Sequence, residues 1–125
     1  MFTFAVITYN HERFIIEHLE SIKYQITSFD NDGINELLVC DDKSNYLTLE
    51  LLSSWIKENK GLFSKVRIIS NEENLGVVKN FLKISQVIES KKFKILGGDD
   101  LYYKNDIYRI EENFDIVFTP IIAFE

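Results

Sequence analysis

The sequence predicts an α/β fold in which a doubly wound, mainly parallel sheet carries helices on both faces. Two observations support this fold. Short apolar segments alternate with amphipathic ones along the chain, and two of the short segments, 34–40 and 115–119, are almost continuously apolar. Strands that are buried on both faces of a parallel sheet have this continuous apolar character. The alternation of strands with helices then favours right-handed crossover connections within one sheet.

Five segments have the length and composition of strands: 2–8, 34–40, 65–70, 93–96 and 115–119. For the first four we expect the spatial order 3-2-1-4, with a ligand site where the order reverses between strands one and four. One apolar residue from each of these four strands is expected in the core: Val6, Leu38, Ile68 and Ile95.

Three segments between the strands have apolar residues at helical spacing: 12–25, 47–59 and 77–90. The residues expected to face the sheet are Ile15, Leu19 and Ile22 in the first, Leu47, Leu51 and Trp55 with Leu52 and Ile56 in the second, and Val78, Phe81, Leu82 and Ile88 in the third. The expected caps or turn residues are Asn10, Asn45, and Asn74 or Gly76. His18 lies in the middle of the first helix, where we expect a surface or boundary position.

Length and charge limit the classes of protein that the chain can belong to. A chain of 125 residues favours a single domain over 1–125, and its 46% hydrophobic and 27% charged residues are those of an ordinary globular protein. The formal net charge of −6 argues against a general binder of nucleic acid or of anionic membranes, because such proteins need a basic face.

Cys40 is the only cysteine, so no internal disulfide can form, and its apolar neighbours favour a buried, inert thiol. The N-terminal segment 1–7 is too short for the core of a signal peptide, and no apolar run approaches the ~20 residues of a membrane span. We therefore expect a cytoplasmic protein without a membrane span, with peripheral attachment at the inner membrane face as an alternative.

Polar residues collect at the ends of the four predicted strands, in 8–11, 41–44, 71–74 and 97–100. Ligands of open α/β sheets bind outside the carboxyl ends of the strands. Loops are generally polar, which would explain any one of these clusters. It does not explain why acids directly follow two apolar strands, since carboxylates there repel each other unless a cation or a donor group balances them.

Several kinds of site can be set aside on sequence. Neither a P-loop nor a dinucleotide-binding glycine motif is present, so a pyrophosphate would need a divalent metal to neutralise it. Asp99 and Asp100 are hard oxygen donors suited to Mg²⁺ or Mn²⁺. One cysteine and two histidines, His11 and His18, give no zinc-ligand spacing.

Four segments together resemble the family 2 glycosyltransferases of the GT-A fold: FAVITYNHERFIIEHLESI, ELLVCDDKSN, NEENLGVVKNF and KILGGDDLYYKND. Each segment alone is weakly diagnostic, but all four occur in the family's order and spacing, and the resemblance runs from residue 2 to about residue 110. It implies an inverting enzyme that transfers a sugar from a nucleotide diphosphate-sugar to an acceptor saccharide or lipid-linked saccharide. The usual setting of such enzymes is the biosynthesis of polysaccharide or the cell envelope.

The resemblance also implies residues that bind the nucleotide. Thr8, Tyr9 and Asn10 match the family's nucleotide-binding turn, with Tyr9 packing against the base. Asp42 would accept a hydrogen bond from the base, which implies uracil or thymine and hence a UDP- or dTDP-sugar, while Asp41 would orient the turn.

A second group matches the segment that closes over the donor: Asn74, Gly76 and Lys79. Lys79 would either reach a phosphate or be a solvated helix lysine, and the sequence leaves both interpretations open.

At the acidic turn the resemblance implies a metal site. Asp99 matches the last acid of the family's D-x-D motif and Asp100 the acid that often follows it; both would hold Mn²⁺ or Mg²⁺ against the diphosphate. Gly98 would let the backbone and the phosphates approach each other. Gly97 stands where the family often has the first acid of the motif, so the ribose contact of that acid is lost or shifts to Asp100.

The acceptor half of such enzymes, including the general base, is expected beyond Glu125. We therefore expect the donor-binding half of a longer enzyme, or a shortened form of one, that binds donor but does not transfer sugar. An apolar sheet edge around 116–124 is expected to favour self-association.

Other classes remain as alternatives. One is a non-catalytic nucleotide-binding or interaction module. A phosphoacceptor receiver domain would carry its acids after strands one and three, where this sequence has Tyr9-Asn10 and Asn71. A nucleotidyltransferase usually needs a glycine-rich basic loop after strand one.

Overall fold

A computed structural model describes residues 1–30, 33–102 and 106–108, together with the backbone of 121–123. The strands are β1 (Phe2–Thr8), β2 (Asn35–Asp41), β3 (Lys65–Ser70), β4 (Lys92–Gly97), β5 (Asp100–Tyr102) and β6 (Ile121–Ala123). The helices are α1 (Ile15–Phe29), α2 (Tyr46–Asn59) and α3 (Val77–Val87), and a short 3-10 helix (Lys60–Leu62) follows α2. Within these residues, none of the helices combines the length and the apolar character that crossing a membrane requires.

The first four strands form one parallel sheet in the order β3-β2-β1-β4, which confirms the predicted order. β1 lies in the middle, with Val6 opposite Val39 of β2 on one side and Leu96 of β4 on the other. All seven residues of β2 are buried, as its continuous apolar sequence predicts. β5 and β6 form a separate antiparallel pair.

The core has two parts, one on each face of the sheet, because successive side chains of a strand point to opposite faces. The larger part packs α1 and α2 against one face; its fully buried residues include Phe4, Val6, Leu19 and Ile22. The smaller part packs Ile84 of α3 against Ala5, Leu38 and Cys40 on the other face. Helices therefore cover both faces, as predicted, and the Cys40 thiol is buried; burial raises its pKa.

Two of the four predicted core positions differ in the structure. Val6 and Leu38 are fully buried, but Ile68 is 44% exposed because β3 is the edge strand of the sheet. Ile95 is half-buried and packs against the smaller core. The apolar character of Ile68 alone could not reveal that its strand lies at an edge.

The helix faces are predicted correctly for α1 and less well for the other two. Ile15, Leu19 and Ile22 are fully buried. In α2 the buried apolar residues are Leu52 and Trp55, whereas Leu47 is half exposed.

For α3 the prediction is wrong at three of its four positions, because Val78, Phe81 and Leu82 are exposed. Ile88, which follows the helix, is half-buried against the smaller core. The helix turns Asn80 and Ile84 towards the sheet instead. The Asn80 side chain donates to the carbonyl of Cys40 at the end of β2 (3.1 Å), which sets this rotation of the helix.

An ion pair between a buried acid and a partly exposed arginine joins β2 and β3 at the end of the sheet opposite the cleft. The Glu36 side chain is fully buried and accepts from Arg67 Nε at 2.6 Å, while Arg67 also donates to the carbonyl of Val87 at the end of α3. The hydrogen bond to Glu36 raises the pKa of Arg67.

The predicted strand 115–119 and most of the predicted apolar edge lie outside the described residues. Of that edge, the structure describes the backbone of Ile121–Ala123, which pairs with β5. Self-association through it stays a prediction.

Candidate functional site

The carboxyl ends of β1, β2 and β4 surround a cleft of about 330 Å³ where the strand order reverses. Five of the residues singled out from the sequence line this cleft: Thr8, Tyr9, Asp42, Asp99 and Asp100. Because parallel strands end at the same edge, acids that are far apart in sequence come together here.

The turn after β1 is fixed by contacts with the turn after β2. Asn10 adopts a left-handed conformation with φ of 52°, which asparagine tolerates better than most residues. Its backbone N–H donates to Ser44 Oγ (3.0 Å), and its side-chain oxygen accepts from the Asn45 backbone N–H (2.7 Å). Tyr9 is 46% exposed, so its ring is accessible to a ligand.

Asp42 is 3% exposed, and its carboxylate organises the loop before α3. One oxygen accepts from Asn71 Nδ2 (2.9 Å) and the Leu75 backbone N–H (2.7 Å), and the other from the Gly76 N–H (2.9 Å). Burial alone would raise the pKa of Asp42, but these hydrogen bonds outweigh it and lower the pKa below its ordinary 3.8. Asp42 is therefore an anionic anchor for this loop.

A buried polar network continues from Asp42 towards α3. Asn71 Nδ2 also donates to Asn80 Oδ1 (3.0 Å), and Lys83 Nζ donates to Asn71 Oδ1. Because Asn80 in turn donates to Cys40, the network joins the ends of β2, β3 and α3. Such fully hydrogen-bonded networks hold a site rigid.

Asp41 is buried and orients its own turn, since its Oδ2 accepts from the Ser44 backbone N–H at 3.0 Å. Its Oδ1 is buried with no hydrogen-bond partner within the part of the chain that the structure describes. Asp41 is not among the residues that line the cleft.

The glycines of the acidic turn lie in close-packed surroundings. Gly98 donates its N–H to the Ile7 carbonyl (2.9 Å), and a Cβ there would lie only 3.0 Å from both Thr8 Oγ1 and His11 Nδ1. A Cβ on Gly97 would lie 2.7 Å from Asp99 Oδ1. The absence of both side chains allows the turn to sit against β1 with the Asp99 carboxylate folded over Gly97.

The electrostatics of the acid pair suit a cation. Burial and the neighbouring charge of Asp99 raise the pKa of Asp100. A hydrogen bond from the Gly97 backbone lowers this pKa, but its effect is smaller. The described residues contain no group of three or more His, Cys, Asp or Glu side chains that could hold a metal by themselves. Asp99 and Asp100 both line the cleft, and carboxylate oxygens are the kind of ligand that Mg²⁺ and Mn²⁺ take.

None of the three residues expected to close over a donor lines the cleft, although Val77 and Asn80 of the same stretch do. Asn74 is exposed and its side chain donates to the Asp42 carbonyl (3.2 Å); Gly76, with φ of 86°, begins α3. Lys79 is exposed on α3 and is not among the cleft-lining residues.

Two polar residues that line the cleft were not among the predicted site residues. His11 lies against Thr8, with 3.0 Å between His11 Nδ1 and Thr8 Oγ1, and its Nε2 is 3.8 Å from Asp99 Oδ1. Asn80 also lines the cleft. An asparagine inside a predicted helix is unfavourable there, and this was the signal that could have identified Asn80.

His18 is fully buried, so the predicted surface or boundary position is wrong. Its Nδ1 lies 2.6 Å from the backbone carbonyl of Asp100, and burial lowers its pKa to about 4. The neutral ring is accommodated because this carbonyl gives it a hydrogen-bond partner.

The cleft lies at the switch point between β1 and β4, where ligands of open α/β sheets bind. The sequence matches the glycosyl transferase family 2 over residues 3–118, and the chain belongs to this family. It is 24% identical over 115 residues to an uncharacterised glycosyltransferase of Mycoplasma pneumoniae, the MG025 homologue; the match covers 91% of this chain and 36% of that protein.

Solved structures show the same fold. The S. aureus TarS fragment 1–349 in complex with UDP has a TM-score of 0.69 at 25% identity, over 86% of this chain and 30% of TarS 1–349. The mannosyltransferase PcManGT of Pyrobaculum calidifontis, in complex with GDP-Man and Mn²⁺, has a TM-score of 0.69 at 23% identity, over 81% of this chain and 28% of its own. The chain thus spans about a third of the length of these relatives.

Proposed function

We propose that the chain is the donor-binding part of an inverting glycosyltransferase that uses a nucleotide diphosphate-sugar with a divalent metal. The observation that carries this proposal is that Tyr9, Asp42, Asp99 and Asp100 all line the same cleft at the β1–β4 switch point. An aromatic ring, a hydrogen-bond acceptor and two carboxylates are the groups that a base, its polar edge and a metal-bound diphosphate require.

The base binds at the Tyr9 and Asp42 end. The exposed Tyr9 ring offers a stacking surface, and such stacking is worth roughly 1–3 kcal/mol per base. Asp42 Oδ2 accepts one hydrogen bond in the described structure and so keeps a lone pair for the N–H of uracil or thymine. A UDP- or dTDP-sugar follows as the donor, and the UDP in the TarS complex supports this assignment.

The diphosphate binds at the Asp99 and Asp100 end, where these two carboxylates would hold Mn²⁺ or Mg²⁺. The ion supplies positive charge that stabilises the leaving diphosphate as the bond from sugar to phosphate breaks. Gly97 lines this end of the cleft, and a side chain there would meet the Asp99 carboxylate. The Mn²⁺ in the PcManGT complex supports a divalent ion in this fold.

We place the acceptor-binding part and the general base outside these 125 residues, so that this chain binds donor without transferring sugar. The relatives, which are about three times as long, support this division. The acceptor is a saccharide or a lipid-linked saccharide of a polysaccharide pathway in the cytoplasm.

Isothermal titration calorimetry with a panel of UDP, dTDP, GDP and ADP in Mn²⁺ tests the proposal. UDP or dTDP should bind at least about tenfold more tightly than ADP, because adenine N1 is an acceptor where uracil N3–H donates and the hydrogen bond to a charged group is then lost. Equal affinities across the panel would contradict base reading by Asp42, and no binding by any member would contradict the donor site.

A further inference from the structure

We propose that His18 is a positioning residue of the diphosphate end of the site: its Nδ1–H fixes the backbone carbonyl of Asp100 and thereby the two carboxylates of the acidic turn. The bond is short, with 2.6 Å between Nδ1 and the carbonyl oxygen, and the imidazole is fully buried. Because a carbonyl can only accept, Nδ1 carries the proton. The inference rests on the proposed function, which assigns Asp99 and Asp100 to a metal-bound diphosphate.

The acid pair lies between two backbone anchors. On one side the Gly98 N–H donates to the Ile7 carbonyl of β1 at 2.9 Å. On the other side the Asp100 carbonyl accepts from His18 of α1. Between these two points the chain has only the rest of Gly98, Asp99, and the N and Cα of Asp100, so the directions of both side chains depend on both anchors.

His18 belongs to a polar stripe of α1 formed by His18, Ser21 and Gln25, which share one helix face at spacings of three and four residues. Ser21 Oγ accepts from the Tyr102 N–H at 3.1 Å, and Gln25 Oε1 accepts from the Ile107 N–H at 3.2 Å. Each member of the stripe holds one backbone group of the segment that follows β4. His18 is the member that contacts an acid of the cleft.

Only one of the two ring nitrogens of His18 makes a hydrogen bond within the described residues. Nδ1 bonds to Asp100, whereas Nε2 is buried without a hydrogen-bond partner there. A leucine of similar size would fill the space without burying an unpaired nitrogen. Packing alone therefore does not call for histidine here, and the bond to Asp100 is what the residue contributes.

Three variants separate positioning from packing. His18→Leu keeps an apolar volume and removes the donor, while His18→Asn places an amide N–H close to where Nδ1 stood. Gln25→Leu is the matched control, because it alters the same stripe at Ile107, away from the acids. Two measurements apply to each variant: amide hydrogen exchange of residues 98–101 in the metal-free protein, and calorimetric affinities for UDP with Mn²⁺ and for uridine.

In His18→Leu we expect exchange at 98–101 to accelerate and Mn²⁺-supported UDP binding to weaken, each by about tenfold, with uridine binding unchanged. His18→Asn should restore most of the slow exchange at 98–101 and most of the UDP affinity. Gln25→Leu should leave the ratio of UDP to uridine affinity as in the wild type. Unchanged exchange in His18→Leu, or equal losses of UDP and uridine binding, would overturn the inference. If the wild type binds no nucleoside diphosphate, the proposed donor site fails, and the exchange data alone then decide whether His18 positions the turn.

Discussion

Asp42→Asn should destabilise the fold by about 3 kcal/mol, although the two side chains have nearly the same shape. Three donors converge on the carboxylate: Asn71 Nδ2 and the Leu75 N–H on Oδ1, and the Gly76 N–H on Oδ2. Asparagine has one oxygen, so when it serves Asn71 and Leu75 its own NH₂ faces the Gly76 N–H. The lost bond to a charged group costs roughly 1.5–3 kcal/mol, and the other two bonds lose their charge assistance.

Urea unfolding at pH 7, followed by circular dichroism, measures this loss, which corresponds to roughly a 10 °C drop in Tm for a chain of this size. Asp99→Asn is the matched control, because its side chain is 48% exposed and its change should stay within about 0.5 kcal/mol. If Asp42→Asn were as stable as Asp99→Asn, Asp42 would not anchor the loop before α3, and the account of the site would be wrong.

Three further predictions concern the base, the ion pair and pH. Tyr9→Ala should weaken UDP binding by roughly 1–3 kcal/mol in calorimetry, and an unchanged affinity would exclude stacking. Arg67→Met should cost about 3 kcal/mol in urea unfolding because it leaves the buried Glu36 charge without its closest cation, and a loss under about 1 kcal/mol would contradict this. The pKa of Asp42 lies below 3.8 in the folded state, so its contribution to stability is complete above that pH and is lost as pH falls through the folded pKa. Unfolding free energies at pH 7 and 3 should therefore differ more in the wild type than in Asp42→Asn, and equal differences would refute the shift.

The four strands of the parallel sheet could be predicted because each is locally recognisable, and their order is the usual one for a sheet with a switch point. β5 and β6 were not among the predicted strands. β1 and β3 have the predicted bounds, and β2 and β4 differ by one residue at each end. Burial was harder to predict, because it depends on neighbours that the local pattern does not specify. Ile68 looks like a core residue until its strand is placed at the edge, and α3 is rotated by Asn80, whose partner is a carbonyl of a distant strand.

The sequence predicted where in the fold the site lies, but it predicted only part of the contacts between the side chains that form it. Residues that directly follow apolar strands had to meet at one edge, which is how Thr8, Asp42 and Asp99 were found. Side chains that act from inside a helix give no such signal. His18 looked like an ordinary helix residue, because the carbonyl that it contacts is 82 positions away.

The most direct test of the central claim is the dependence of UDP binding on Mn²⁺, measured by calorimetry in the wild type and in Asp99→Asn. The wild type should bind UDP more weakly in EDTA than in Mn²⁺ by about tenfold or more, as expected when a charge-assisted contact is lost. Uridine, which has no phosphate, should bind equally in both. Asp99→Asn should bind UDP equally with and without Mn²⁺ and unfold at the wild-type urea concentration. UDP binding that ignores Mn²⁺ in the wild type would contradict the account and leave residues 97–100 as a solvated acidic turn.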